Sequence, residues 1–181
     1  MGEDSFKFIP FRDGDRRYLP LVVVLALLLA GLLIIFGVVY RPEAVSGDSM
    51  MQTLQSGDRL LVTRGYPRPA RGDVVSADIV LHGDPDRILK RVVAVAGDTV
   101  EVFGDQVVVN GETLTWPGVI IGATDDFHLG PFVIPEGNVY LMGDNRPVSL
   151  DSRYIGAVPV SAITGKVVAV FSPITHAGRI D

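Results

Sequence analysis

RILKRVVAVAGD, residues 87 to 98, reads as an apolar strand with a lysine and an arginine set into it. Successive side chains of a strand point to opposite faces. Lys90 therefore shares a face with Ile88, Val92 and Ala94, and Arg91 shares the other with Leu89, Val93 and Val95. An ammonium among aliphatic neighbours loses hydration and gains little back, so the Lys90 pKa should fall from about 10.4. A neutral lysine amine can take the proton of a serine hydroxyl, which an ordinary surface lysine cannot do. Spacing alone leaves a second role open, a lysine snorkelling from a sheet edge.

A serine that such a lysine could serve stands upstream, in SGDSMMQTLQSGDRLLV, residues 46 to 62. Gly47 permits a tight approach to Ser49, and Asp48 is a turn former. Met50 and Met51 would be costly to expose beside a turn, so they call for a core, a substrate pocket or a membrane surface. Residue type alone leaves Ser49 open between nucleophile and turn serine. Serine and lysine suffice for covalent hydrolysis without histidine when the lysine is held neutral.

Around these two stretches the chain reads as strands. DRLLV at 58 to 62, DVVSADIVL at 73 to 81 and RILKRVVAVA at 87 to 96 are rich in Val, Leu and Ile, and turn residues separate them. TVEVF at 99 to 103 follows Gly97-Asp98, and QVVV at 106 to 109 runs into Asn110-Gly111, a strong hairpin signal. NVYLM at 138 to 142 and KVVAVF at 166 to 171 are further strands, whereas residues 116 to 135 read as an excursion from the sheet. Several valine runs look buried on both faces. The expected fold is a mostly β, antiparallel and partly closed domain.

Upstream, LVVVLALLLAGLLIIFGVV at 21 to 39 runs 19 positions without a charge. As a helix it would span roughly 28 Å, close to the hydrocarbon thickness of a bilayer. Tyr18 and Tyr40 flank it as interfacial aromatics. The run is longer than a secretory h-region, and VVYRPEA lacks a small-x-small cleavage site, so it reads as a retained transmembrane anchor. Lys7, Arg12, Arg16 and Arg17 precede it, which favours an inside N-terminus and an outside domain. Residues 1 to 18 read as a largely disordered tail.

The chain has 181 residues and a formal charge of -5, with 16 Lys and Arg against 21 Asp and Glu, which argues against nucleic acid as the main partner. It has no cysteine, hence no disulfide, thiolate nucleophile or thiolate metal site. The three histidines, His82, His128 and His176, are widely scattered, and HGDPD at 82 to 86 falls short of an EF-hand loop. No metal or organic cofactor is expected. No G-x-S-x-G elbow, Walker A string or H-E-x-x-H string occurs. One further block is dense in polar groups: GDNRPVSLDSR, residues 143 to 153. It could orient a site, with Asp151 and Arg153 on one face of an extended segment, or it could be a solvated loop.

Taken together, four blocks resemble type I signal peptidases, the membrane-bound Ser/Lys endopeptidases of bacteria. They are SGDSMMQTL at 46 to 54, RGDVV at 71 to 75, ILKRVVAVAGDTV at 88 to 100 and GNVYLMGDNRPVSLDSRYIGAVP at 137 to 159, in the family's order after a short anchor. The resemblance implies Ser49 as nucleophile, followed by Met50, and Lys90 as general base. It implies Ser149 as a hydrogen-bond partner of the lysine amine, Asp151 and Arg153 as a bracing pair, and Asp144 and Asn145 as a structural turn. Met50 would help line a shallow substrate pocket. Gln52 stands where the family usually has proline, and restoring that proline is expected to leave the chemistry intact and, where the local backbone already accepts proline, to stabilise the fold modestly. Gly47 stands where some members carry a serine, so the oxyanion hole should rely on backbone N-H groups, that of Ser49 first.

The implied fold is all-β: an anchor over 19-40, a peptidase domain over 43-171 with its core at 43-97 and 137-171, a smaller lobe at 98-136, and a C-terminal tail at 172-181. The implied partners are preprotein signal peptides, the lipid bilayer and, by proximity, the protein export machinery. The implied activity is cleavage of preproteins after a small-x-small segment at the outer face of the cell membrane. Two alternatives are a specialised peptidase of this type with few substrates, and a membrane-tethered β scaffold that has lost activity.

Overall fold

A computed structural model of the chain describes residues 16–81, 83–122 and 127–180. His82 and most of the tail expected at 1 to 18 lie outside the described residues. Arg16–Tyr18 form one 3-10 turn. A single long helix follows, α1 (Leu19–Val39), 21 residues with no buried side chain and a mean hydropathy of 3.2 over an 18-residue stretch. At about 1.5 Å per residue it is long enough to cross a bilayer.

From Tyr40 onward the chain is built on two antiparallel sheets. The larger has eight strands: β1 (Tyr40–Ala44), β2 (Arg59–Thr63), β3 (Val74–Leu81), β4 (Asp84–Val95), then β9 (Asn138–Met142), β10 (Val158–Pro159), β11 (Ile163–Ser172) and β12 (Gly178–Arg179). Their order is β1-β2-β11-β3-β4-β9-β10, with β12 on β11. The smaller has four: β5 (Thr99–Phe103), β6 (Gln106–Val109), β7 (Glu112–Leu114) and β8 (His128–Val133), in the order β7-β6-β5-β8.

The valine-rich runs of β3 and β4 sit in the middle of the large sheet with both faces covered. Val74, Val75, Ser76 and Ala77 are all buried, as are Lys90 to Ala94. On one side Val93 and Ala94 of β4 and Tyr140 and Met142 of β9 pack against Val100, Val102, Val107 and Val109 of the small sheet. Elsewhere Met50 and Leu54 join Leu60, Val62, Val74 and Val167 in a second cluster. The large sheet curls on itself. Arg41 of β1 reaches the hydroxyls of Ser76 in β3 and Thr164 in β11, and Ser76 donates back to Glu43.

The Asn110-Gly111 hairpin forms as its sequence dictates: both residues have positive φ, 53° and 84°, and Val109 pairs with Glu112. Three expectations need correction. The Asp-Pro stretch before Arg87 is paired strand, with Pro85 opposite Val80 and Asp84 opposite Leu81, so β4 starts earlier than expected. Residues 116 to 135 contain β8, whose alternation Gly130 and Pro131 interrupt, and Ile120 bridges to Asn145. The end of the chain is packed. β12 pairs with β11, Ile180 joins the Met50 cluster, and the His176 ring is 2.9 Å from the Asp58 carboxylate.

Candidate active site

Ser49 sits on a tight turn between β1 and β2. Gly47 enters it at φ 85°, Met51 donates its N-H to the Asp48 carbonyl (3.0 Å), and Leu54 donates to the Met50 carbonyl (2.8 Å). Met50 and Leu54 are anchored in the core, at 1% and 0% exposure. Between them Gln52 is exposed and takes φ 70°, the left-handed region that disfavours side-chain-bearing residues. The turn is thus pinned by two apolar side chains, and the serine is held on its outer side.

Opposite lies Lys90 on β4, a strand interior to the sheet. Its Nζ is hydrogen-bonded to Ser49 Oγ at 2.8 Å and donates to the Leu89 carbonyl at 3.1 Å. Lys90 is 4% exposed. Burial pushes its pKa down; the Asp151 and Asp86 carboxylates pull it back up less strongly. The side chain does not snorkel from an edge.

The 143 to 153 block braces both residues from behind. The Asn145 N-H donates to the Ser49 carbonyl and its side-chain amide to the Asp48 carbonyl, both at 3.0 Å. Asp144, fully buried, accepts two bonds from Arg91 (2.9 and 2.8 Å) and one from the Thr53 hydroxyl (2.6 Å). The residue beside Lys90 is thereby tied to the segment beside Ser49. Asp151 accepts the Gly143 N-H at 3.0 Å and Arg153 Nε at 2.9 Å. These two side chains do pair, but as cap and first turn of a short helix, α2 (Ser152–Ile155), rather than along an extended segment.

Ser149 departs from the expected contact. Its hydroxyl is buried without a hydrogen-bond partner among the described residues, and it lies against Gly143, close to the Ser49 carbonyl, rather than on the lysine amine. Met50 lines the cleft but belongs to the core, so it can form a pocket floor and no mobile wall. The Ser49 N-H donates to nothing among the described residues. Sequence reasoning missed Thr53 and Asp105. The first stands in a turn, and the second follows Gly104 like an ordinary turn aspartate. No group of His, Asp and Glu able to hold a metal occurs among the described residues.

A cleft of about 750 Å³ opens over the Ser49–Lys90 pair. One wall is the stretch from Glu43 to Met51, and the other is Asp86 to Lys90. The first begins on the edge strand β1 and continues into the turn that carries Ser49, and the second is a free strand edge. β1 ends the sheet, and β4 pairs with β9 only from Arg91 onward.

A family model described as signal peptidase, peptidase S26, matches residues 16–172. Signal peptidase I S of Bacillus subtilis (strain 168) is 35% identical over 169 residues, covering 85% of this chain and 88% of its own. Signal peptidase I of Bacillus licheniformis is 33% identical over 177 residues, covering 89% of each. A crystal structure of a signal peptidase I from Enterococcus faecalis V583 aligns at 28% identity over 55% of this chain and 96% of its own, with a TM-score of 0.46. The chain belongs to the peptidase S26 family of signal peptidases, serine endopeptidases that cleave signal peptides through a Ser/Lys dyad.

Proposed function

We propose that Ser49 is the nucleophile and Lys90 the general base of this peptidase. The observation that carries the assignment is the 2.8 Å contact between Lys90 Nζ and Ser49 Oγ, with the amine buried and its pKa lowered. Lys90 takes the Ser49 proton as Oγ attacks the scissile carbonyl. The resulting ammonium protonates the leaving amine. The neutral lysine then activates water, which hydrolyses the acyl-enzyme and frees Ser49. The unengaged Ser49 N-H is the first donor for the oxyanion.

The substrate enters as an added strand between the two walls of the cleft, so its main chain gives affinity and alternate side chains fill pockets. Small residues at alternate positions suit a groove floored by Met50, in keeping with cleavage after small-x-small segments. Asp144, Asn145, Asp151 and Arg153 brace the dyad, and Ser149 packs behind Ser49 beside Gly143. α1 supplies one membrane-spanning segment among the described residues. In our reading the tail at 1 to 18 is cytoplasmic, residues 43 to 171 form the extracytoplasmic peptidase domain, and the small lobe at 98 to 136 is carried on it. That placement puts the cleft near the exit of the export machinery.

The full chain should cleave a preprotein carrying an Ala-x-Ala site, and folded Ser49→Ala should not. Protease added to intact spheroplasts should digest the peptidase domain. Residual cleavage by purified Ser49→Ala would overturn the nucleophile, and a domain protected until lysis would overturn the orientation.

A further inference from the structure

Asp105 lies on the turn between β5 and β6 of the small sheet, outside every segment that lines the cleft. It is nevertheless 9% exposed and fully engaged. Its Oδ1 accepts Arg153 Nη1 at 2.6 Å, its Oδ2 accepts the Gly122 N-H at 2.8 Å, and its carbonyl accepts Arg146 Nη1 at 2.8 Å. Each bond ends on something that holds the dyad. Arg153 also grips both oxygens of Asp151, and Asp151 takes the Gly143 N-H. Arg146 donates Nε to the Gly143 carbonyl and follows Asn145, which clamps Ser49. Gly122 closes the stretch in which Ile120 bonds Asp144 and Arg146.

We propose that Asp105 is a positioning residue for the Ser49–Lys90 dyad, by which the small sheet fixes the geometry of the catalytic turn through Arg153 and Arg146. This rests on the dyad assignment above. Two physical consequences follow. First, without the carboxylate Arg153 is a buried guanidinium with one carboxylate fewer, free to shift its grip on Asp151 and hence on Gly143 and Ser49. Second, the Asp151–Arg153 pair that faces Lys90 loses the negative charge beyond Arg153. The charged groups around Lys90 are Asp86 and Arg87 on its own strand (Arg87 paired with Asp78), Asp48 on the nucleophile turn, Glu43 of β1 (held by Arg41) and, from the 143 to 153 block, Asp151 (paired with Arg153). β3 presents uncharged Val75 opposite it. Asp151 favours the ammonium, and an Arg153 released from Asp105 cancels more of that field. The protonated lysine is then less stable, and the acid limb of the rate profile moves to lower pH.

The test is the kcat and KM of the full chain in detergent on an Ala-x-Ala preprotein, across pH, for wild type, Asp105→Asn and Asp105→Glu. Asp105→Asn should lose about 10-fold or more in kcat, with KM little changed. Its acid limb should lie below that of wild type, and Asp105→Glu should keep the wild-type limb. Gly122→Ala gives an independent perturbation should Asp105→Asn not accumulate folded. Its methyl would stand 2.9 Å from Asp105 Oδ2 and 2.8 Å from Pro147 Cγ, so the carboxylate must move; kcat should fall without loss of the fold. Wild-type kcat and acid limb in folded Asp105→Asn, or wild-type kcat in folded Gly122→Ala, with Ser49→Ala inactive, would overturn the role of Asp105 and leave the dyad standing. Activity in Ser49→Ala would overturn the dyad itself.

Discussion

Asn145 holds the carbonyl of Ser49 with its own backbone N-H, at 3.0 Å, while its side chain holds the carbonyl one residue earlier. Two carbonyls in succession are thus fixed from one residue, which sets the direction in which the serine hydroxyl projects. Asn145→Ala removes the side-chain bond and keeps the backbone one. A neutral hydrogen bond is worth about 0.5–1.5 kcal/mol, so kcat should fall up to about tenfold with an intact fold. Single-turnover cleavage with thermal melting as a control checks this; an unchanged rate would show that the backbone bond alone orients Ser49.

The backbone at Gln52 does not meet the condition under which a proline there would stabilise the turn. Proline fixes φ near -65°, but the chain passes through Gln52 at φ 70°. Gln52→Pro should therefore destabilise, by more than about 1 kcal/mol, rather than stabilise. Gln52→Gly should be neutral or gain up to about 1 kcal/mol, because glycine bears no left-handed penalty. Chemical denaturation of the three proteins orders them. A Gln52→Pro protein as stable as wild type would mean that the turn can be rebuilt around proline at no cost.

Two Asp–Arg pairs with similar geometry should differ sharply in worth. Arg91 and Asp144 meet at 2.8 Å with side chains 2% and 0% exposed, and Arg87 and Asp78 meet at 2.6 Å at 46% and 52%. Truncating one partner of a buried pair strands a charge, so Asp144→Ala should cost about 3–5 kcal/mol. Arg87→Ala should cost at most about 1 kcal/mol, since water screens that pair. Urea midpoints measure both, and comparable losses would contradict the burial argument.

The local signals in the chain were legible where a single segment carries its own instruction. β5 and β9 coincide with TVEVF and NVYLM, and Asn110-Gly111 turns as its residues demand. The opposite faces of Lys90 and Arg91 followed from a period of two, whereas spacing left Lys90 open to snorkelling from an edge; its burial comes from the place of β4 inside the sheet. What escaped was specified non-locally. β1 reads YRPEA, with no apolar alternation; Arg41 and Glu43 point at Ser76 and Thr164, and Pro42 is tolerated because the strand lies at a sheet edge. β8 is broken by Gly130-Pro131, yet pairs with β5. Asp105 resembles any turn aspartate until the fold brings Arg153, 48 positions later in the chain, to within 2.6 Å.

The lysine amine offers the sharpest test, because its proposed role depends on protonation rather than charge. Buried at 4% exposure, Lys90 has a pKa below the ordinary lysine value, so the neutral base is populated at lower pH than in a surface lysine. The cleavage rate should be lost as pH falls through that lowered pKa. Stability should move the same way. The folded chain binds this proton less readily than the unfolded chain does, so the penalty is absent above about pH 10.4 and complete below the folded pKa. Lys90→Met fills the same space with no charge to desolvate; it should be inactive, and as stable as wild type or more so under acid. Lys90→Arg should also be inactive, since a guanidinium stays protonated at any working pH. Near-normal cleavage by folded Lys90→Arg would rule out a neutral-base mechanism and leave the lysine a purely electrostatic part. Inactivity of both variants, with an acid limb in wild type alone, is the result that this geometry requires.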